Sequence, residues 1–216
     1  MITGTVLAIL GFALAAVLWA IFRAPSAAAP AVAAAPAKPA LPDPGEWDPW
    51  DARKGDVVSI TGAAEDYSDL DFPVDRRSAY QSGNRRWVDL SGEFRGRRVY
   101  LEVYRYPTKE YLGITDAKKL TLVDVGLNED RLKELDEQQD QTQFIEYEGK
   151  HWYYDSSREL GYFENETGEG EGLYRWLFRE QDGPRRICIE KWEGEPFDVR
   201  LARQFGQQDI TVYRAA

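Results

Sequence analysis

Two hydrophobic rhythms divide the chain. Residues 5–22 read TVLAILGFALAAVLWAIF, and no charged side chain occurs before Arg23. These 18 residues at about 1.5 Å each make roughly 27 Å of helix, close to the roughly 30 Å hydrocarbon core of a bilayer, so the run predicts a transmembrane helix. Beyond residue 47 the period falls to two. In Arg98-Val99-Tyr100-Leu101-Glu102-Val103-Tyr104 the aliphatic side chains take one face, and Tyr100, Glu102 and Tyr104 take the other, the alternation of a strand with one face in a core. Similar β-branched or aromatic runs occur at 57–60, 85–90, 143–147, 151–154, 174–179, 186–192 and 210–213. Turn sequences separate them, among them Ser82-Gly83-Asn84, Arg95-Gly96-Arg97, Glu148-Gly149-Lys150, Asp182-Gly183-Pro184 and Glu193-Gly194-Glu195-Pro196. Together they predict a meander of antiparallel hairpins.

One segment changes period. Residues 129–138 predict a short helix, with Asn128 as N-cap, Glu129 and Asp130 at the positive end of the dipole, and Leu127 with Leu132 as a hydrophobic staple. Residues 24–46 have no rhythm at all. They are almost wholly Ala and Pro, with prolines at 25, 30, 36, 39, 42 and 44, and predict an extended tether able to reach roughly 70 Å at about 3.1 Å per residue. The expected organisation is therefore an anchor at 1–23, a tether at 24–46, a first β unit at 47–125, a connector helix at 126–140 and a second β unit at 141–216. The fold class expected is mainly β: an N-terminal transmembrane helix, then a duplicated antiparallel β-meander, barrel-like, with one short connector helix.

The duplication is suggested by a recurring pattern. Arg86-Trp87 precedes Arg97-Arg98-Val99-Tyr100-Leu101-Glu102-Val103-Tyr104, and Arg175-Trp176 precedes Arg185-Arg186-Ile187-Cys188-Ile189-Glu190-Lys191-Trp192 in the same way, about 88 residues later. Each copy would be a small antiparallel unit.

These residues resemble the uncharacterised bacterial family catalogued as domain of unknown function 4178. The similarity runs over roughly 54–213 and is carried by Lys54-Gly55-Asp56-Val57-Val58, the Trp87 strand, Val99-Tyr100-Leu101-Glu102, Tyr147-Glu148-Gly149 and Ile189-Glu190-Lys191-Trp192-Glu193-Gly194. The resemblance implies a β-rich domain without an assigned activity, and it transfers no catalytic residue.

Membrane placement follows from the anchor's flanks. Small-residue motifs at 33–35 and 35–37 would suit signal-peptide cleavage, but the run has no basic segment before it and exceeds the usual 7 to 15 apolar residues, which favours a retained anchor. Arg23 and Lys38 follow the span, so positive-inside logic places a single-pass protein in a bacterial inner (cytoplasmic) membrane with its large domain in the cytoplasm. The lone Cys188 excludes a lipoprotein and fits either redox compartment.

Charge narrows the partners. The chain carries a net charge of −10, and residues 1–46 contribute nothing to it, since Arg23 and Lys38 offset Asp43 and Glu46. So acidic a domain disfavours nucleic acid. The expected partners are the bilayer, through residues 5–22, and an unidentified protein, with self-association left open.

Reactive residues are few. His151 is the only histidine and sits in a strand; Cys188 lies where the other copy has Tyr100, and packing accounts for it. No spacing suits zinc, calcium or a nucleotide, so no catalytic, cofactor-binding or metal residue and no cofactor is expected. Two features stay in view. Glu102 and Glu190 hold equivalent positions near the paired arginines and could converge on one cleft, although cross-strand Glu–Arg pairing is the plainer reading. Glu164-Asn165-Glu166-Thr167-Gly168-Glu169-Gly170-Glu171 packs four carboxylates into one loop. The leading functional expectation is a membrane-anchored, non-enzymatic interaction or scaffold module. The alternatives are a sensor of a small cationic ligand such as a polyamine, through cation–π contacts, and an enzyme using Glu102 and Glu190.

Overall fold

Alternating strands joined by Gly turns have to pair, and the computed structural model shows how. It describes residues 47–215 apart from 106, 116 and 117; the expected anchor and tether lie outside the described residues. The elements are β1 (Val57–Ile60), β2 (Leu70–Ser82), β3 (Arg85–Phe94), β4 (Arg97–Tyr104), β5 (Glu110–Ile114), β6 (Lys119–Leu120), α1 (Glu129–Gln138), β7 (Phe144–Tyr147), β8 (Lys150–Phe163), β9 (Glu171–Glu180), β10 (Arg185–Trp192), β11 (Asp198–Phe205) and β12 (Ile210–Tyr213). The mainly β expectation holds. Among the described residues no helix is long and apolar enough to cross a membrane.

All twelve strands join one antiparallel sheet in the order β12-β1-β2-β3-β4-β5-β11-β10-β9-β8-β7, with β6 on β11. A further pairing of β2 with β8 closes eight of them, β2-β3-β4-β5-β11-β10-β9-β8, into a ring. Each half contributes a four-strand meander to it. The meanders meet edge to edge twice: Ala79, Tyr80 and Gln81 pair with Phe163, Tyr162 and Gly161, and Tyr111, Leu112 and Gly113 pair with Phe205, Gln204 and Arg203. Closure removes the exposed strand edges that a flat sheet would leave.

Period two sorts the side chains between the ring's two surfaces. Val88, Leu90, Val99, Leu101 and Val103 face outward into one core, and Trp176, Phe178, Ile187 and Ile189 face outward into another. Tyr80, Trp87, Leu160 and Leu173 point inward from both halves. The outer cores exchange their closing segments. Phe205, Ile210 and Val212, from the end of the chain, complete the first core, while Leu120, Val125 and Leu127 complete the second.

Helix α1 occupies the expected residues. The Asn128 carboxamide oxygen accepts from the Arg131 N–H at 2.8 Å, and Leu132 and Leu135 are its buried positions. Strands β2, β5 and β11 were not expected from the pattern. In β2, Pro73 faces solvent where β1 pairs with β2, and a bulge lies between Val74 and Arg76. Proline and bulges belong at such positions, although they mask a strand in sequence.

The observed register corrects the proposed repeat. Glu102 pairs with Asp89 and Glu190 pairs with Arg175. With Glu102 matched to Glu190, Trp87 therefore corresponds to Leu173, and Leu90 to Trp176. Trp87 and Leu173 share the inner cluster, whereas Trp176 faces the outer core. The two Arg-Trp pairs are thus not equivalent, because an odd-numbered offset in a strand moves a side chain to the other face.

Gly92, opposite Val74 in β3, tests the bulge. A Cβ there would lie 2.0 Å from the Pro73 carbonyl oxygen, in backbone that cannot swing away. Gly92→Ala should lose about 2 kcal/mol in denaturant unfolding, whereas Gly172→Ala, with nothing within 4 Å of its Cβ, should change stability by less than about 0.5 kcal/mol. Equal losses would remove the contact as the cause.

Candidate functional site

An inward-facing arginine needs a counter-charge, since water is not there to supply one. Arg175 on β9 is 2 % exposed. Its Nη1 donates to Glu102 Oε2 at 2.9 Å and its Nε to Glu190 Oε1 at 2.9 Å. β4 and β9 stand opposite each other in the ring, so the Glu102–Arg175 pair crosses the interior. The Arg175 guanidinium also lies 4.3 Å from the Tyr80 ring centre. Burial alone would lower its pKa, but the attraction of Glu102 and Glu190 raises it well above the usual arginine value.

Both glutamates are engaged further. Glu102 accepts from Trp87 Nε1 at 2.9 Å and from the Tyr104 hydroxyl, and Glu190 accepts from Trp192 Nε1 at 3.3 Å. The structure brings Glu102 and Glu190 together on one arginine, and the plainer expectation of cross-strand Glu–Arg pairing holds for Glu190, which lies opposite Arg175. Their shared partner is Arg175, not Arg97, Arg98, Arg185 or Arg186. A carboxylate tied to two or three donors is suited to holding charge in place rather than to moving protons.

Asp89 faces the same interior, opposite Glu102 on β3. Burial, helped by the Glu102 charge and opposed by Arg76 and Arg175, pushes its pKa from 3.8 up to about 8. At neutral pH the carboxyl is mostly protonated.

At one end of the ring the interior opens into a cavity of about 890 Å³. The β2–β3 turn, the end of β4 and the start of β10 frame it. Trp87, Tyr104, Leu112, Leu160 and Leu177 line its apolar wall, and Trp50 closes one side. Trp50 is placed by a short turn at Pro49–Asp51, where Asp48 accepts from the Trp50 N–H at 2.9 Å. The charged lining is five arginines, Arg85, Arg86, Arg158, Arg175 and Arg186, against two carboxylates, Glu110 and Asp155. An apolar wall beside nine polar or charged side chains has the character of a site for a polar small molecule.

The other sequence candidates lie elsewhere. His151 is on β8 near the β7 edge, with its ring 4.4 Å from Phe144 and its Nε2 3.4 Å from Glu146. Cys188 faces the ring interior, and burial raises its thiol pKa far above the ordinary value, which disfavours the reactive thiolate. In the acidic loop Glu164 pairs with Arg76 at 3.0 Å and Glu166 pairs with Arg77, so two of the four carboxylates are committed to β2. Among the described residues no group of three or more His, Cys, Asp or Glu could hold a metal ion. Arg158 and Arg186 escaped sequence reasoning because a strand arginine is ordinarily a solvated one. For Arg186 the available signal was its inward position beside Ile187 and Ile189, whereas Arg158 reaches the inner face only through a bulge between Tyr154 and Ser156 that the pattern does not show.

Removing Arg175 should be far costlier than its single position suggests. Arg175→Ala strands two buried glutamates and should lose about 3 to 5 kcal/mol in denaturant unfolding, and adding Glu102→Gln and Glu190→Gln to it should recover part of that loss. A loss under about 1 kcal/mol would show that the triad does not stabilise the ring. Asp89 gives a pH signature. Its folded pKa is raised, so its contribution is fully present below about 3.8 and is lost as pH climbs towards about 8, at up to about 1.4 kcal/mol per pH unit. Asp89→Asn should flatten that part of the stability–pH curve, read by urea unfolding between pH 5 and 8; an unchanged slope would assign it to other groups.

Against known proteins the geometry stands by itself: no family model, no curated protein and no solved structure matches the chain.

Proposed function

We propose that the protein is a membrane-anchored, non-enzymatic binding module whose site is the ring cavity, and that it senses or carries a small organic ligand there. The observation that carries this reading is the cavity itself, about 890 Å³ lined by aromatic, aliphatic and arginine side chains. Within the lining, Arg175 is already paired with Glu102 and Glu190, which suits holding charge in place rather than moving protons.

A small ligand accounts for the geometry better than the expected protein partner does. Among the described residues the large apolar side chains that are exposed, Trp47, Tyr67, Val123 and Phe144, belong to four separate segments, whereas Trp50, Trp87 and Tyr104 of the inner cluster line one cavity. On this reading the two meanders arose by duplication of one unit, and the cavity formed at their junction. Residues 5–22 hold the domain at a bilayer, with Arg23 and Lys38 on the cytoplasmic side; both statements rest on sequence alone.

The test is thermal unfolding of the full chain in detergent against a panel of neutral, cationic and anionic metabolites. A ligand at about 100 times its Kd stabilises the folded state by about 2.7 kcal/mol. At least one compound should raise the Tm of the wild type and leave Leu177→Trp, which fills the cavity, unmoved. A panel without effect, or equal shifts in both proteins, would sink the proposal.

A further inference from the structure

The cavity's charge runs against that of the whole chain. The protein carries a net −10, yet beside Arg175, which Glu102 and Glu190 already hold, the lining has four arginines against two carboxylates. Elsewhere arginines are held by acids: Arg76 by Glu164, Arg98 by Asp75, Arg185 by Glu180 and Arg200 by Asp198. Among the described residues, no carboxylate forms an ion pair with Arg158 or Arg186. Arg158 donates to Ser156 Oγ at 2.8 Å, and Arg186 donates to the Arg185 carbonyl at 3.0 Å and Gln204 Oε1 at 2.8 Å, all uncharged acceptors.

The register makes this more costly. Arg158 sits directly opposite Arg175, and Arg186 directly opposite Arg179. Like charges facing each other across strands are destabilising. Arg175 is compensated by its two glutamates, and Arg179 lies over the Tyr153 ring at 5.2 Å. Among the described residues Arg158 has no such contact, and Arg186 is offset only in part, by the attraction of Asp155 and Glu110 without an ion pair. Burial lowers the Arg186 pKa below its ordinary value, against the pull of Asp155 and Glu110, which marks a cation held without enough counter-charge.

We propose that the cavity takes a small organic anion: an aromatic or apolar body against Trp50, Leu112 and Leu177, with one carboxylate, sulfonate or phosphate group received by Arg186 and Arg158. This rests on the binding-module reading and specifies its ligand. A planar guanidinium matches an oxyanion with paired N–H donors, which an ammonium cannot do. The same charges repel a polyamine, so the cationic ligand considered for the acidic loop does not suit this cavity.

A matched pair of dyes separates the charge from the body. 8-Anilinonaphthalene-1-sulfonate and N-phenyl-1-naphthylamine share their rings, and only the first carries a sulfonate. With the full chain in detergent, the sulfonate should bind one site at least about tenfold more tightly than the neutral dye, and Arg186→Gln and Arg158→Gln should each weaken it about tenfold while leaving the neutral dye unchanged. Raising the salt concentration on the wild type, which needs no variant to fold, should weaken only the sulfonate. Leu177→Trp should exclude both. If both dyes bind equally, with no response to salt or to the arginine substitutions, yet Leu177→Trp excludes them, the anion inference falls and the binding module stands. If neither dye binds, or Leu177→Trp excludes neither, both readings fall together.

Discussion

The ring depends on one ion triad, Glu102–Arg175–Glu190, that crosses its interior. An apolar core would have held two meanders together with less desolvation, since buried ion pairs seldom repay the loss of water. What the triad supplies is register. Arg175 can satisfy Glu102 and Glu190 only when β9 and β4 face each other at one height, and a slip of one residue would turn it towards the outer core. The aromatic residues Trp87, Tyr104 and Trp192 then become polar partners as well as packing, because each gives its N–H or O–H to a glutamate. Arg175, the centre of the triad, also lines the cavity, so the site is tied to the element that aligns the halves.

Much of the fold was legible. The hairpin turns stand where the Gly sequences put them, β1 and β12 have the expected bounds, and α1 runs from Glu129 to Gln138 with Asn128 as its cap. These features are local, and turn chemistry and capping are written in adjacent residues. Strand β11 was hidden because Arg203 interrupts the alternation of Val199, Leu201 and Phe205, and only the structure shows Arg200 over the Tyr100 ring at 5.1 Å. Proline in β2 hid that strand in a similar way.

The site was harder to read than the fold. Glu102 and Glu190 could be paired from the repeat, but their arginine could not be chosen, because Arg97, Arg98, Arg185 and Arg186 are closer in sequence than Arg175 is to Glu102. Closure of the ring decides it. The false match of Trp87 with Trp176 has the same origin: identity of residues was visible, whereas the face each one occupies depends on a register set by partners far along the chain. The cavity's arginines likewise acquire meaning only once strands from both halves surround them.

The exchange of closing segments between the outer cores bears on how the chain matures during synthesis. The first core needs Phe205, Ile210 and Val212, which leave the ribosome after most of the second meander. The N-terminal half therefore waits, with its apolar face open, until the C-terminal strand arrives. Long-range pairing of this kind slows folding and prolongs exposure of sticky surface. The half that is translated first is the half that is finished last.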